Sequence, residues 1–303
     1  MKNGIARSPL FYVGDKYKLV NEIKTHLPNK INRLIEPFVG GGSVFMNIDA
    51  ADYLLNDIDS NVISIHKMLC SYKCRENDFF DCFFSIVERY NLSLSYKGNT
   101  IPKELKKEFP KTYFAKYNKM AYNAMKKDYN ESDRSDVVML YALLIYGFNR
   151  MLRFNKKGDF NIPVGDVDFN RNTYDALIDY FNMLRKKHLQ WSCMDFRDFL
   201  NGIQYEDNDL VYLDPPYLIT FSEYNKLWNV DTEQAMLDLL EGLDERNIHF
   251  AISNVTHYKG KINEMFLHWS EKYNVYPIKS NYISFNDNTI KKFNEVLVTN
   301  YLR

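Results

Sequence analysis

Asp214-Pro215-Pro216-Tyr217 combines residue types that could do chemistry on a nitrogen. It follows Leu210-Val211-Tyr212-Leu213, an apolar run too short and too β-rich for a helix. The two prolines stop that run, since neither has an N–H to donate and each drives the residue before it out of the helical region. A carboxylate, a fixed carbonyl and an aromatic face are therefore expected at the C-terminal end of a buried strand, where open α/β sheets bind ligands. The exocyclic amine of adenine or cytosine is a poor nucleophile because its lone pair is delocalised into the ring. Acceptance of its two hydrogens by the Asp214 carboxylate and the Pro215 carbonyl would pull the nitrogen toward sp3 and localise that pair, the kind of aimed electrostatics that supplies rate. Tyr217 is suited to stack on a base turned out of its helix, a requirement when the target atom is otherwise buried in a pair.

The elements that must position this tetrapeptide are those of an α/β sheet. Arg33 to Phe38 reads as a buried strand, Val39 to Ser43 as a glycine loop, Val44 to Ile48 as a short helix, and Asp52 to Leu55 as a second strand ending at Asn56-Asp57. That order is a nucleotide-binding βαβ unit. Glu36 to Gly42 departs from GxGxxG and from the P-loop ending, which makes NAD and ATP poorer ligands for it. Taken singly, the glycines serve a tight turn as well as a ligand, and Asp57 becomes a ribose acceptor only in that company.

From Cys74 to Phe148 the β signal disappears: Phe79 to Tyr90, Tyr113 to Lys127 and Asp136 to Tyr146 are helical in pattern, and Phe148 to Asn172 has loop character. Alternation then resumes with a helix Thr173 to Lys187, a strand Leu189 to Met194 and a helix Arg197 to Leu200, followed by the strand before Asp214. A helix Thr232 to Leu243 capped by Asp231 comes next, then a strand His249 to Ser253 ending in Asn254. Strands Val275 to Lys279 and Glu295 to Tyr301, separated by a polar loop Ser284 to Lys292, complete the pattern. The class expected is α/β, one mainly parallel sheet interrupted by a helical insertion.

With 39 basic and 39 acidic residues the net charge is zero, so nucleic-acid binding has no global electrostatic case. Arg150 to Lys157 makes a local one, with four basic residues in eight and no acid. A solvated face is the usual meaning of such a run, but aromatic neighbours and a loop setting favour groove or phosphate contact. Arg153 is the best candidate for bidentate reading of a guanine. Lys103 to Lys127, diluted by acids, offers phosphate contact at most, and Asn286 to Lys292 is a further candidate for the DNA backbone. No apolar run or N-terminal pattern indicates a membrane span or signal peptide, so a cytoplasmic chain is expected. Cys70, Cys74, Cys82 and Cys193 form no CxxC pair, and the histidines show no metal spacing; reduced thiols, core or surface histidines and no metal are the expectation.

Several motifs in order make the chain similar to a known family. Ser8 to Lys16, Glu36 to Ser43, Phe148 to Asn155 with Phe160 to Pro163, Asp214 to Tyr217, and Glu295 to Tyr301 resemble the Dam-type (class α) adenine-N6 DNA methyltransferases, over nearly the whole chain from about Pro9 to Tyr301. The resemblance implies a Rossmann-like methyltransferase fold with a mainly parallel seven-stranded sheet. It places a catalytic domain at 1–72 and 171–303 and an inserted, mostly helical target-recognition domain at 73–170. It implies S-adenosylmethionine as donor, S-adenosylhomocysteine as product, no metal, and double-stranded DNA as substrate. A monomer is expected, working in restriction-modification or as an orphan or phage enzyme, with any cognate restriction endonuclease acting separately.

By the same resemblance Asp214, Pro215, Pro216 and Tyr217 are catalytic. Tyr12 lies against the cofactor adenine and Lys16 belongs to the same motif; Glu36, Phe38, Gly40 and Gly42 line the methionine side; Asp57 takes the ribose. Asp195 and Phe196 match an Asp-Phe that contacts the cofactor adenine, although an ordinary core aromatic is the alternative for Phe38 and Phe196. The DNA side comprises Asn149, Arg150, Met151, Arg153, Asn155, Lys156, Lys157 and Pro163, with Met151 and Pro163 approaching bases. Trp228 and Asn254 are candidates for holding the flipped base or cofactor, and packing explains Trp228 as well. Phe11, Asp15 and Arg150 depart from the GATC-specific members, so the resemblance does not carry GATC as the target. Cytosine N4 and RNA adenine are the alternative acceptors, Asp at position 214 and the motif order speaking against cytosine. A non-catalytic DNA-binding protein would have no use for an intact Asp-Pro-Pro-Tyr.

Overall fold

The computed structural model describes residues 4–12, 14–98, 101–220, 228–278 and 294–302. Its strands are β1 (Arg33–Glu36), β2 (Asp52–Asn56), β3 (His188–Ser192), β4 (Leu210–Leu213), β5 (His249–Tyr258), β6 (Lys261–Ile262), β7 (Asn274–Ile278) and β8 (Asn294–Thr299). Its helices are α1 (Val20–His26), α2 (Ser43–Asn47), α3 (Ser60–Ser71), α4 (Glu76–Arg89), α5 (Lys103–Glu108), α6 (Tyr113–Glu131), α7 (Val137–Tyr146), α8 (Arg171–Leu184), α9 (Phe196–Asn201), α10 (Val230–Glu245) and α11 (Glu264–Ser270). They pack as two compact units. One comprises Lys16–Val39, Asn47–Ile58 and Lys187–Arg303; the other comprises Met1–Asp15, Gly40–Met46 and Asp59–Lys186.

The first unit holds the sheet, in the order β3-β2-β1-β4-β5-β8-β7, with the two-residue β6 pairing off β5. β3, β2, β1, β4 and β5 are parallel, and β8 lies antiparallel between β5 and β7. β4 is buried at all four positions, as a strand covered on both faces must be. Its Val211 and Leu213 join Ile35, Phe250, Ile252 and Val298 in a core sealed by Met236, Leu237 and Leu240 of α10 and by Phe266 and Trp269 of α11. Each such side chain stabilises the unit by about 1.5–3 kcal/mol on burial. At the opposite end, Arg33 forms a two-pronged pair with the buried Asp209, 2.9 and 2.6 Å, clamping the starts of β1 and β4 together. Strand order reverses between β1 and β4, so the crevice beyond their C-terminal ends is the position where such sheets take ligands.

The second unit is built around α7, whose Val138 to Tyr146 are all buried. A helix apolar on every side has to sit in the middle of others, and α3, α4 and α6 pack against it. Phe79 and Phe83 of α4 each bring a ring to 5.9 Å from that of Tyr141. The lysine-rich stretch beginning at Lys103 forms α5 and the start of α6. Among the described residues no helix is long and apolar enough to cross a membrane.

Two sequence expectations are corrected. α10 is capped by Asn229, whose side chain accepts from Thr232 N at 2.9 Å, while Asp231 lies in the first turn and complements the helix dipole instead. β5 continues past Asn254 to Tyr258, because its second half pairs with β8 and β6 and its polar side chains find buried partners. The expected DNA-contacting segment Asn286 to Lys292 lies outside the described residues.

Candidate active site

Beyond β4, Pro215 and Pro216 end the ladder and Asp214 and Tyr217 turn into a cluster with Lys16 and Glu295. Lys16 Nζ is 2.7 Å from Asp214 Oδ1 and 3.5 Å from Glu295 Oε1, and it donates to the Tyr217 hydroxyl at 2.8 Å. That hydroxyl in turn lies 2.9 Å from Asp214 Oδ1 and 3.2 Å from Glu295 Oε1. The side chains of Lys16 and Glu295 are 4% and 1% exposed, against 22% for Asp214, so of the three charged groups it is the Asp214 carboxylate that faces outward. Burial alone would pull the Lys16 ammonium down, but Asp214, Tyr217 and Glu295 together override it and hold it well above the usual lysine range. Burial pushes the Tyr217 phenol well up, and the neighbouring Asp214 pushes it further. The site is therefore a fixed ammonium flanked by two carboxylates and a neutral phenol. Lys16, expected with the cofactor residues, has its charge on Asp214.

The ends of β1, β2 and β3 are bolted together by Asn56, a residue the sequence did not single out. Its amide donates to the Pro37 and Met194 carbonyls at 3.1 and 2.9 Å and accepts from Met194 N at 3.1 Å, while its own carbonyl accepts from Val39 N at 2.8 Å. This fixes the chain where Glu36, Phe38 and Asp57 emerge. Glu36 is buried and Asp57 half-buried. Phe38, Phe196 and Trp228 make a three-ring cluster with centroids 5.2, 5.6 and 5.7 Å apart. Asp195 caps α9 through Arg197 N, and both its oxygens bind the Arg197 guanidinium at 2.8 Å. Trp228 Nε1 and the Asn254 amide both donate to Glu233, a buried carboxylate that Asn263 also binds. Burial raises that carboxyl and these donors offset part of the rise. Trp228 and Asn254 thus share one anchor.

In the other unit the glycine loop is shaped by Tyr12 and His66. A Cβ on Gly41 would stand 2.7 Å from Tyr12 Cβ, and Gly42, at φ +80°, would drive one to 2.2 Å from the Phe45 ring. Ser8 Oγ donates to the Gly41 carbonyl. His66 Nε2–H donates to the Gly40 carbonyl at 2.9 Å, which fixes the tautomer and makes Nδ1 the acceptor for Tyr180 OH at 2.6 Å. Burial lowers the His66 pKa to about 4, the Gly40 bond opposing it. The unfolded chain therefore binds the extra proton first. This group's contribution is intact above pH 6.5 and is lost as pH falls toward 4, by roughly 3 kcal/mol in all. Unfolding by denaturant between pH 4 and 7 should show a shallower decline for His66→Gln than for the wild type; parallel curves would contradict the assignment.

The predicted DNA residues lie on a ribbon of the same unit, closed by bridges Gly147–Val164 and Phe154–Phe160. Asn149, Lys156, Lys157 and Pro163 are exposed, as is the neighbouring Phe148; Met151 and Arg153 are half-buried. Asn161 braces the Arg153 guanidinium, accepting from Nε at 2.8 Å and Nη2 at 3.3 Å. Asn155 organises the turn, its side chain accepting from Lys157 N and Asp159 N. Arg150 stacks its guanidinium 3.8 Å above the Phe11 ring, with Arg7 at 4.6 Å, and donates to Thr173. Burial lowers its pKa to about 10. The two departures Phe11 and Arg150 are therefore one contact, and both, with Asn149, hold positive φ at 49°, 50° and 52°, strain of the kind that gathers at functional sites.

The doubly wound sheet, with β8 antiparallel near one edge and an acid at the end of β1, β2 and β4, defines a Rossmann-like methyltransferase fold. The sequence profile of the D12 class N6 adenine-specific DNA methyltransferases matches residues 12–283, and the chain belongs to that family. It is 33% identical to the type II methyltransferase M.FokI of Planomicrobium okeanokoites, over 99% of this chain and 43% of the relative. It is 30% identical to the modification methylase StsI of Streptococcus sanguinis, over 97% and 43%. To the DNA adenine methylase of Escherichia coli K12 it is 30% identical, over 96% and 94%. The chain thus spans less than half the length of the first two relatives and nearly all of the third.

Proposed function

We propose that this chain moves a methyl group from S-adenosylmethionine to N6 of an adenine rotated out of duplex DNA. The observation that carries this reading is the end of β4, where Asp214 stands beside the Pro215 carbonyl with its charge held by the buried Lys16. The residues at the neighbouring strand ends fit the donor. Glu36 and Asp57 offer acceptors for an amino group and for ribose hydroxyls, and the Phe38, Phe196 and Trp228 rings offer an apolar face for adenine. When bound, S-adenosylmethionine supplies an electrophilic methyl on a sulfonium.

Asp214 and the Pro215 carbonyl accept the two N6 hydrogens and localise the nitrogen lone pair; Lys16, 2.7 Å away, fixes the carboxylate in direction. As the N–C bond forms, the sulfonium–methyl bond would break to leave S-adenosylhomocysteine as a neutral thioether, and Asp214 receives the proton the nitrogen gives up. Asp214 needs no great basicity for this, because the alkylated amine is far more acidic than the free one. Residues 73–170 select the target, Asn149, Met151, Arg153, Lys156, Lys157 and Pro163 meeting DNA; the chain acts as a cytoplasmic monomer, separately from any cognate nuclease. For Arg153→Ala we expect relaxed discrimination at one base pair, a loss of about 1–3 kcal/mol on the cognate site, read from rates on single-substitution duplexes; uniform weakening on all duplexes would make it a phosphate contact. The reading itself is tested by incubating the chain with duplex DNA and methyl-labelled S-adenosylmethionine and analysing the nucleosides by mass spectrometry. Label in N6-methyladenine supports it, and label confined to cytosine, or none, overturns it.

A further inference from the structure

We propose that Glu295 is a positioning residue, taking the hydrogen bond of the Tyr217 phenol while Asp214 receives the target amine. The inference rests on the adenine-methylation reading and concerns the same site. The Tyr217 hydroxyl has one proton and already accepts from Lys16 Nζ at 2.8 Å. Two carboxylate oxygens lie within its reach, Asp214 Oδ1 at 2.9 Å and Glu295 Oε1 at 3.2 Å, and it can serve only one at a time. When it donates to Asp214, that oxygen carries both the phenol and the Lys16 ammonium, 2.7 Å away, and has least left to offer an amine. Rotation of the proton about the phenol C–O bond moves the donation to Glu295 without moving the ring, and frees the acceptor the chemistry needs.

Glu295 is built to receive it. It is a buried carboxylate on β8, its Oε2 has no hydrogen-bond partner among the described residues, and Lys16 is 3.5 Å from its other oxygen. The charged and titratable groups facing it are Lys16 ahead of α1 and Asp214 and Tyr217 after β4. Tyr212 of β4 lies in the field of the same cluster. Burial holds the Glu295 carboxyl above the usual range, which makes its ionised form a strong acceptor.

The test is a double-mutant cycle on the full chain, read as single-turnover methyl transfer alongside DNA and donor affinity. E295Q should slow transfer about 10- to 100-fold, the scale of one charge-assisted hydrogen bond, with both affinities unchanged. In a Tyr217→Phe background, where no phenol competes for Asp214, E295Q should cost nothing further. A wild-type rate in E295Q would overturn the proposal. So would a full E295Q loss that persists beside Tyr217→Phe, because Glu295 would then act through Lys16. Should E295Q not fold, E295D, which keeps the charge and shortens the reach, carries the same cycle. A wild-type chain that methylates no adenine would instead defeat the function proposed above, leaving the two failures distinct.

Discussion

Asp214→Asn is expected to bind DNA and donor and to transfer essentially no methyl group. The substitution keeps the volume of the side chain and removes the charge proposed to draw the N6 hydrogens. It also presents an amide NH2 that competes with the target amine. Loss of one aimed electrostatic partner costs about 100- to 1000-fold in transfer rate, and in the proposed mechanism the same group receives the proton, so the expected loss lies at or beyond the upper figure. Folding should survive, since Lys16 keeps Glu295 at 3.5 Å and the Tyr217 hydroxyl at 2.8 Å. Single-turnover transfer measured beside equilibrium DNA binding separates the two effects; a variant that turns over at the wild-type rate would remove Asp214 from the mechanism.

Lys16→Met has the largest expected effect on stability. It leaves Asp214 and the buried Glu295 on either side of Tyr217 with no cation between them, and removing one partner of a buried ion pair costs about 3–5 kcal/mol. Folding then favours protonation of Glu295, whose carboxyl burial already raises. A group whose folded pKa lies above its unfolded one stabilises the fold at low pH and loses that contribution as pH rises, so the deficit of Lys16→Met should shrink on acidification from pH 7. Denaturant unfolding at several pH values reads this directly, and a deficit independent of pH would contradict the two-carboxylate arrangement.

The strand–proline–proline turn and the glycine loop were legible because they are local: an apolar run with a breaker says where a strand stops and what stands at its end. α7 was legible for a similar reason, as an unbroken apolar helix. Partners across long sequence separations were not. Lys16 meets Tyr217 across 201 residues and Tyr217 meets Glu295 across 78, and no periodicity reports such a meeting. The same holds for Asn56 reaching Met194 across 138 residues, and for Trp228 and Asn254 converging on Glu233. His66 carried no signal because a buried neutral histidine with two partners looks in sequence like any histidine in a helix. Asn254 reads in the sequence as a strand end because asparagine usually breaks strands, whereas here its amide is satisfied inside the protein. Phe11 and Arg150 were each visible as departures from relatives, but that they stack on one another is a fact of tertiary structure.

Modification-aware sequencing of DNA from cells expressing the chain, run in parallel with Asp214→Asn, tests the central claim most directly. The account predicts N6-methyladenine confined to one short sequence in the wild-type culture and absent from the variant. Methylation at cytosine, adenine methylation without a common site, or an unchanged pattern in Asp214→Asn would contradict it.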